Sequence, residues 1–225
     1  MANDYGNWFL VILASFIFLA FLKMVFRPRS KTDWRTYQSF SAFIIALFAE
    51  MYGFPLTIYL LTSFFGNKFL NLDFSHDSGH ILNKILNIGG DPHFSWLHLL
   101  SNGLIVGGLI LISTAWDLLY KAQKKRILAT TGIYRYIRHP QYTGFILVIV
   151  GFLLQWPTLI TLLMAPILIF RYIKLAREEE KEMDQKFSTA FENYKKQTSG
   201  FFPSFGSMIN IFKNIFIKAK TSHVE

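Results

Sequence analysis

The hydrophobic pattern predicts a chain that crosses a membrane several times. A transmembrane helix needs about 20 mostly apolar residues, and four stretches meet that requirement. They are residues 8–26, 40–65, 96–116 and 143–170. The first holds Lys23 near its end and the second holds Glu50, whereas the other two hold no Asp, Glu, Lys or Arg.

The fourth stretch is longer than one transmembrane helix needs and short for two. The distribution of basic residues decides between a single crossing and a hairpin. Cytoplasmic loops collect Lys and Arg. If residues 155–157 form the turn of a hairpin, 21 of the 23 basic residues lie on one side of the membrane. A single crossing would instead leave six on one side and ten on the other. Pro140 suits the first turn of the incoming helix, which gives arms of roughly 17 residues.

These patterns predict an all-α, multi-pass integral membrane protein with about five transmembrane helices, the last two forming a hairpin. The N-terminus is expected outside, and the C-terminal helices in the cytoplasm. Residues 1–95 would form N-terminal membrane helices and an outer loop. Residues 96–203 would form a core with a motif loop, the hairpin and a glutamate-bearing helix. An apolar tail with spaced lysines at 204–225 is typical of an amphipathic interfacial helix.

Composition narrows the class of protein further. The chain is 52% hydrophobic and 16% charged, whereas a soluble domain carries about 25% charged residues. The absence of Cys excludes a disulfide scaffold and a cysteine-ligated metal site. The net charge of +9 is explained by topology and by attraction to anionic lipid. We therefore expect the lipid bilayer as partner and no nucleic acid, and the sequence leaves the oligomeric state open.

The loop after the third stretch, residues 124–142, combines basic residues, three Tyr and a Gly turn. It ends in Arg138-His139-Pro140, where a helix N-terminus is predicted to enter the membrane. Such an end favours an anionic or carboxylate-bearing ligand. The alternative is a basic and aromatic interfacial belt without further function.

A second cluster lies on the helix predicted after the last stretch. Helical spacing from Ala176 to Tyr194 places Glu179 and Glu180 on the apolar face and Glu178 on the wet face. Carboxylates turned inward need partners. These would be the Arg and His of the loop, or a cationic ligand; the alternative is a run of merely solvating glutamates.

Together the two clusters resemble the superfamily of integral membrane methyltransferases that contains isoprenylcysteine carboxyl methyltransferases and phospholipid N-methyltransferases. The resemblance covers about residues 100–203. The first motif, roughly G-x-Y-x-x-x-R-H-P-x-Y-x-G, is matched by Gly132, Tyr134, Arg138, His139, Pro140, Tyr142 and Gly144. The second, roughly E-E-x-x-L-x-x-x-F-G-x-x-Y-x-x-Y and a later Pro, is matched by Glu179, Glu180, Phe187, Tyr194 and Pro203. Mild departures are Met183 for Leu, Ser188 for Gly and Phe191 for Tyr.

The resemblance implies S-adenosylmethionine as methyl donor, held where the two motifs close at the cytoplasmic face. The implied donor-binding residues are Arg126, Ile127, Leu128, Ala129, Tyr134, His139, Pro140, Gln141, Tyr142, Glu179 and Glu180. Arg138 or His139 suits the donor carboxylate, and Glu179 suits its ammonium or ribose hydroxyls. The acceptor would be lipophilic or small: an isoprenylcysteine carboxylate, a phospholipid amine or a thiol.

Arg138 and Glu50 are the catalytic candidates. Glu50 is the one acidic residue in the second apolar stretch, and an acid inside a membrane indicates a functional site by default. It would be an acceptor-site residue or a base. The alternative is a structural glutamate hydrogen-bonded to Ser101 or Asn102.

Two further patterns are open to more than one interpretation. His76 and His80 have the i, i+4 spacing that suits a metal on a helix, near Asp77, Asp91, His93 and His98. Capping and loop roles explain this set equally well, so no metal is assigned. Gly103 and Gly107, with Gly108 beside them, predict close packing of helices within the chain; the alternatives are a dimer seam or a contact with the donor.

Two other classes of protein compete with a methyltransferase. One is an NADPH-dependent membrane reductase of the sterol-reductase type, whose related patterns read R-H-x-N-Y and R-D-E. Here His139 is followed by Pro-Gln-Tyr and Arg177 by Glu-Glu, which favours the methyltransferase. The other is a non-catalytic membrane binding module that keeps the fold.

Overall fold

A computed structural model describes residues 5–66 and 69–204, which form a bundle of α-helices. The predicted all-α class is confirmed. Short 3-10 turns connect the helices at Phe69–Asn71, His76–Gly79, Pro92–Phe94 and Gly132–Arg135. The helices are α1 Trp8–Phe26, α2 Lys31–Phe48, α3 Leu56–Phe65, α4 Ile81–Ile85, α5 Trp96–Lys125, α6 Pro140–Gln155, α7 Leu159–Phe187 and α8 Thr189–Gln197.

Three of the described helices, α1, α5 and α7, are long and apolar enough to cross a membrane, and the bent pair α2–α3 would make a fourth span. Many of their large side chains point outward, as expected for helices that face lipid; Phe16 and Leu163, for example, are about 70% exposed. Helix α6 has 16 residues, about 24 Å, which is short of the roughly 30 Å hydrocarbon core. The count of five spans and the orientation stay predictions.

The stretch 40–65 does not form the single straight helix that the sequence predicted. Helix α2 ends at Phe48, a π-helical turn follows at Ala49–Gly53, and α3 leaves at an angle of 65°. The cause lies at Pro55, which lacks an N–H and drives the preceding residue out of the helical region. Phe54 is accordingly extended, with φ −123° and ψ 116°.

The hairpin that the charge pattern predicted is present. Pro140 lies in the first turn of α6, and Trp156 ends this helix. Thr158 then caps α7 in a reciprocal pair of hydrogen bonds with Thr161. The two arms run antiparallel, so the start of α6 lies beside the late turns of α7. This arrangement brings the two sequence motifs to the same end of the molecule.

Helices α5 and α6 approach each other closely through glycines. A Cβ on Gly108 would lie 2.7 Å from the carbonyl oxygen of Gly144, and a Cβ on Gly144 would meet Gly108 equally closely. A Cβ on Gly103 or on Gly107, in contrast, would have no neighbouring side chain or helix within 4 Å in the described part of the chain. The close packing predicted for this region therefore depends on Gly108 and not on the Gly103/Gly107 pair.

The helix that carries the glutamates ends earlier than the sequence predicted. Helix α7 stops at Phe187, Ser188 has φ 40°, and α8 begins at Thr189. The predicted stripe from Ala176 to Tyr194 is therefore shared by two helices. The interfacial tail predicted at 204–225 lies outside the described residues from 205 onward.

Candidate active site

The first carboxylate of the pair, Glu179, accepts hydrogen bonds from the first turn of α6. The Tyr142 hydroxyl donates to its Oε1 at 2.5 Å, and Gln141 Nε2 donates to its Oε2 at 3.4 Å. Pro140 lies at the start of α6, where its missing N–H costs nothing, and Gln141 and Tyr142 follow it in the first turn. Glu178, one residue earlier, is exposed, as the helical spacing predicted.

The second carboxylate, Glu180, is held by both polar residues of the R-H-P motif. Its Oε1 accepts a hydrogen bond from Arg138 Nε at 2.8 Å and lies 2.8 Å from Arg138 Nη2 and 3.0 Å from His139 Nε2. Charge-assisted bonds of this kind are about twice as strong as neutral ones. The predicted pairing of inward glutamates with the Arg and His of the loop is thus present in the structure.

A strap formed by residues 198–201 ties the motif loop to the end of α8. The backbone N–H groups of Arg138 and His139 donate to the carbonyls of Ser199 and Gly200 at 2.8 and 2.9 Å. Arg138 Nη1 donates to the carbonyl of Thr198 and, at 3.3 Å, to that of Lys195. Sequence reasoning missed the strap; its one signal was the match of Pro203, just beyond it, to the family pattern.

His139 is almost fully buried, with 5% of its surface exposed. Burial alone would lower the pKa of its imidazole, but the hydrogen bond to Glu180 and the charges of Glu179 and Glu180 outweigh burial and raise it. Its Nδ1 is 3.7 Å from Glu179 Oε2 and has no hydrogen-bond partner within the described part of the chain. Burial and nearby Glu179 also raise the pKa of Tyr134, so its hydroxyl stays protonated and donates to Gln141 Oε1 at 3.1 Å.

A cavity of about 530 Å³ lies between these elements, within the usual range of about 300–1,000 Å³ for small-molecule sites. Its wall includes the ends of α1 and α5, the start of α2, the motif loop, α7 and α8. Arg138 lines it, and so does every predicted donor-binding residue except Pro140: Arg126, Ile127, Leu128, Ala129, Tyr134, His139, Gln141, Tyr142, Glu179 and Glu180.

The wall also includes residues that sequence reasoning did not assign to the site. The junction of α1 and α2 contributes Arg29, Lys31 and Asp33, and α7 contributes Lys186. The signal for Arg29 and Lys31 was the basic run at 23–38, which was used only to orient the chain. With these residues the cavity presents both cationic and anionic groups, as a zwitterionic ligand requires.

Glu50 is not brought to this cavity. Its side chain is buried, and its Oε2 accepts from the Thr57 N–H at 2.8 Å. It lines a separate space of about 10 Å³ beside Trp156, at the turn of the hairpin. That turn is a full α6 length, about 24 Å, from the motif loop. Ser101, one predicted partner of Glu50, donates instead to the Gly151 carbonyl at 2.8 Å.

Comparisons with known proteins point to methyltransferases. Residues 97–190, less than half of the chain, match the family model for phospholipid methyltransferases. A protein-S-isoprenylcysteine O-methyltransferase of Schizosaccharomyces pombe is 27% identical over 84 residues, which are 37% of this chain and 36% of that protein. The chain thus aligns with about a third of this curated relative. No solved structure matches significantly. The family match and the relative confirm the resemblance of this chain to the superfamily of membrane methyltransferases.

Proposed function

We propose that the large cavity binds S-adenosylmethionine and that the protein transfers its methyl group to a lipophilic or small acceptor. One observation carries the proposal: the two motifs, far apart in sequence, line a single cavity together with residues 126–129. The family match supports methyl transfer over the NADPH-dependent reduction that the sequence left as an alternative.

The chemistry of the cavity wall suits this donor. The Glu179 side chain is 34% exposed, against 19% for Glu180, and a carboxylate has about four lone-pair sites. Glu179 therefore keeps acceptor capacity for the donor ammonium or ribose hydroxyls. Arg126 is exposed on the wall and suits the donor carboxylate. The aromatic rings of Phe191 and Tyr194 also line the cavity, and cation–π attraction to a sulfonium is worth about 0.5–2 kcal/mol.

We propose that Arg138 is a positioning residue and not a group that contacts the substrate. Its Nε and Nη1 donate to protein acceptors and its Nη2 forms an ion pair with Glu180, which leaves the guanidinium little capacity for a ligand. Together with His139 it fixes Glu180 and the strap, and so holds the motif loop against α7. When bound, S-adenosylmethionine supplies a methyl group on a sulfonium. The chain's residues bind and orient the reactants and exclude water.

The proposed acceptor is lipophilic because the cavity wall turns apolar toward the helices. Phe26 and Trp116, whose ring centroids are 4.8 Å apart, line this side with Leu119 and Leu175. An acceptor with a long apolar group would lie along these side chains with its nucleophile near the motif loop. A carboxylate or thiolate acceptor needs no general base, and Glu50 is too distant to serve as one.

Titration calorimetry of the full chain in detergent tests the proposal. We expect S-adenosylmethionine and its demethylated product, S-adenosylhomocysteine, to bind and compete for one site, and NADPH not to bind. Arg126→Ala should weaken binding of both ligands, whereas Arg135→Ala, an exposed arginine outside the cavity, should not. Binding of NADPH without binding of S-adenosylmethionine would contradict the proposal in favour of a reductase. Binding of neither would favour a non-catalytic module.

A further inference from the structure

Four histidine rings gather at the turn of the hairpin, at the end of α6 opposite the large cavity. The His80 ring centroid lies 4.8 Å from that of His93 and 5.4 Å from that of His98, and the His76 and His93 rings stack at 5.9 Å. His76, His80 and His93 each offer a ring nitrogen, and these three atoms lie within 4.8 Å of one another. The i, i+4 spacing of His76 and His80 does not explain why these nitrogens lie close together, since residues 76–79 form a 3-10 turn and not an α-helix. The approach of His93 from a separate turn completes the group.

His80 is prepared for a ligand by its own hydrogen bond. Its Nδ1 lies 2.9 Å from the carbonyl oxygen of Gln155, which can only accept, so Nδ1 carries the proton. Nε2 is therefore a lone-pair acceptor. This atom is buried, on a residue only 2% exposed, and has no hydrogen-bond partner in the part of the chain that the structure describes. A buried acceptor of this kind is costly unless something binds it.

His93 shows the same arrangement with a carboxylate. Its Nδ1 lies 2.9 Å from Asp91 Oδ1, and Asp91 is itself fixed because it caps the turn Pro92–Phe94. Histidines that ligate metals almost always donate their second ring N–H to a carboxylate or a backbone carbonyl. Here one histidine has each kind of partner. The His93 side chain is 42% exposed, so an ion can reach the group from solvent.

The surroundings hold the group in place. The His76 ring packs on Trp156 at 4.5 Å, and the His80 ring meets the same indole edge-on at 4.9 Å. Gly79 permits this contact, since a Cβ there would lie 1.9 Å from the Trp156 ring. The loop between α3 and α5 is thus seated on the corner of the hairpin.

We propose that His76, His80 and His93 bind a divalent first-row transition-metal ion, Zn²⁺ foremost, at this corner. Imidazole nitrogens suit Zn²⁺, and a three-histidine set leaves a fourth tetrahedral position. The fourth ligand is water or His98, whose buried Nδ1 has no partner among the described residues. With Zn–N bonds of about 2.0–2.1 Å, the ligand nitrogens draw together to about 3.4 Å, which small rotations of the rings accomplish. The ion would cross-link the two turns of this loop, and with His98 as fourth ligand would also tie them to α5, far from the proposed donor site.

The test is metal binding by the full chain, purified in detergent with an affinity tag free of histidine. Zn²⁺ content after dialysis is measured by mass spectrometry, and Co²⁺ substitution is followed by visible absorption. We expect about one equivalent of Zn²⁺, tetrahedral Co²⁺ bands, and a melting temperature that rises with Zn²⁺. His93→Ala, at an exposed ring, should abolish all three.

Asp91→Asn separates a metal site from a mere stack of rings, because Asp91 would act only by orienting His93. Loss of such an outer partner weakens metal binding about 10- to 100-fold. Asp77→Asn, an exposed acid of the same loop, should bind Zn²⁺ as the wild type does. Equal Zn²⁺ content in wild type and His93→Ala, or no Zn²⁺ in the wild type, would overturn the proposal.

Discussion

Arg138 joins three parts of the chain that lie far apart in sequence: the motif loop, α7 and the strap after α8. Its bonds to Glu180 need the planar, forked guanidinium, and its Nη1 reaches the carbonyls of the strap at the same time. Lysine carries the same charge but presents one point donor group. A lysine substitution at Arg138 therefore tests whether the site needs only a positive charge or also the forked geometry of the guanidinium.

Arg138→Lys should loosen the strap while leaving the chain able to fold. Each lost charge-assisted hydrogen bond costs about 1.5–3 kcal/mol, so the melting temperature should fall. Trypsin should also cleave faster after Lys195 and Lys196, which mass spectrometry detects. Arg135→Lys, at an exposed residue of the same loop, is the matched control. Equal cleavage rates in both variants would show that Arg138 does not hold the strap.

His139 should make stability depend on pH. Its folded-state pKa is raised above the unfolded value of about 6.5. Its contribution to stability is therefore complete below pH 6.5 and lost as pH rises through the folded pKa. The charged groups that face His139 are Glu179 and Glu180 on α7 and Arg138 beside it. The neutral side chain of Tyr142 faces it from α6. The difference in melting temperature between wild type and His139→Gln should shrink from pH 6 to pH 9. A difference that stays constant would contradict this account.

The sequence was enough to predict that the Arg, His and Glu residues of the two motifs would pair with one another. It was not enough to predict which of them keep free capacity for a ligand. Helical spacing was enough to turn Glu179 and Glu180 inward and Glu178 outward. It could not reveal that Arg138 is occupied by protein acceptors, because the strap at 198–201 carries no pattern of its own. Nor could it show that Glu50 lies outside the cavity. An acidic residue in an apolar run indicates that its burial is costly, but the run does not show at which end of the helix bundle the side chain lies.

At the scale of elements, α5 and α6 pack closely at a seam of glycines. Gly108 and Gly144 face each other there, and each would carry its Cβ to within 2.7 Å of the opposing carbonyl. Such contact leaves no room for a methyl group. Gly107 is the neighbouring residue, but it faces open space.

Gly108→Ala should therefore destabilise the protein by about 1–3 kcal/mol, the usual cost of overpacking. Gly107→Ala should leave stability unchanged or raise it by up to about 1 kcal/mol, because alanine is the better helix former and nothing opposes its Cβ there. Thermal unfolding of the two variants in the same detergent provides the comparison. Similar losses from both would return the packing surface to the Gly103/Gly107 pair.

Breaks in the helices were harder to predict than their existence. The hydropathy pattern does not distinguish Pro55 from the other residues of its apolar run. The helix nevertheless breaks there, because proline has no backbone N–H to donate. The break at Ser188 had a signal that was passed over: the family pattern has Gly there. Glycine tolerates positive φ at little cost, and Ser188 has φ 40°. The hairpin, in contrast, was predicted because charge placement reports topology directly.

At the scale of the whole molecule, the two ends of the hairpin carry different chemistry. The motif end is rich in charge and holds the large cavity. The turn end holds Glu50, the histidine group and few basic residues. The proposed donor, S-adenosylmethionine, is made in the cytosol, so the orientation of the chain decides whether the motif end can meet it.

Reporter fusions test this orientation. Fusions after Lys31 and after Lys124 should report the cytoplasm, and a fusion near Asp77 should report the opposite side, because basic residues concentrate around the first two positions. A cytoplasmic signal near Asp77 would invert the topology and remove the motif end from the donor's compartment.

The central claim is that the inward face of the glutamate run binds the methyl donor. The most direct measurement is the affinity for S-adenosylmethionine, by calorimetry, of Glu179→Ala beside Glu178→Ala. A hydrogen bond to a charged group is worth about 1.5–3 kcal/mol, so Glu179→Ala should weaken binding roughly 10- to 150-fold. Glu178, one residue away, also lines the cavity, but its side chain is exposed to solvent, so Glu178→Ala should bind almost as the wild type does. Equal and small effects from both variants would show that the glutamates form a solvated face and contradict the account.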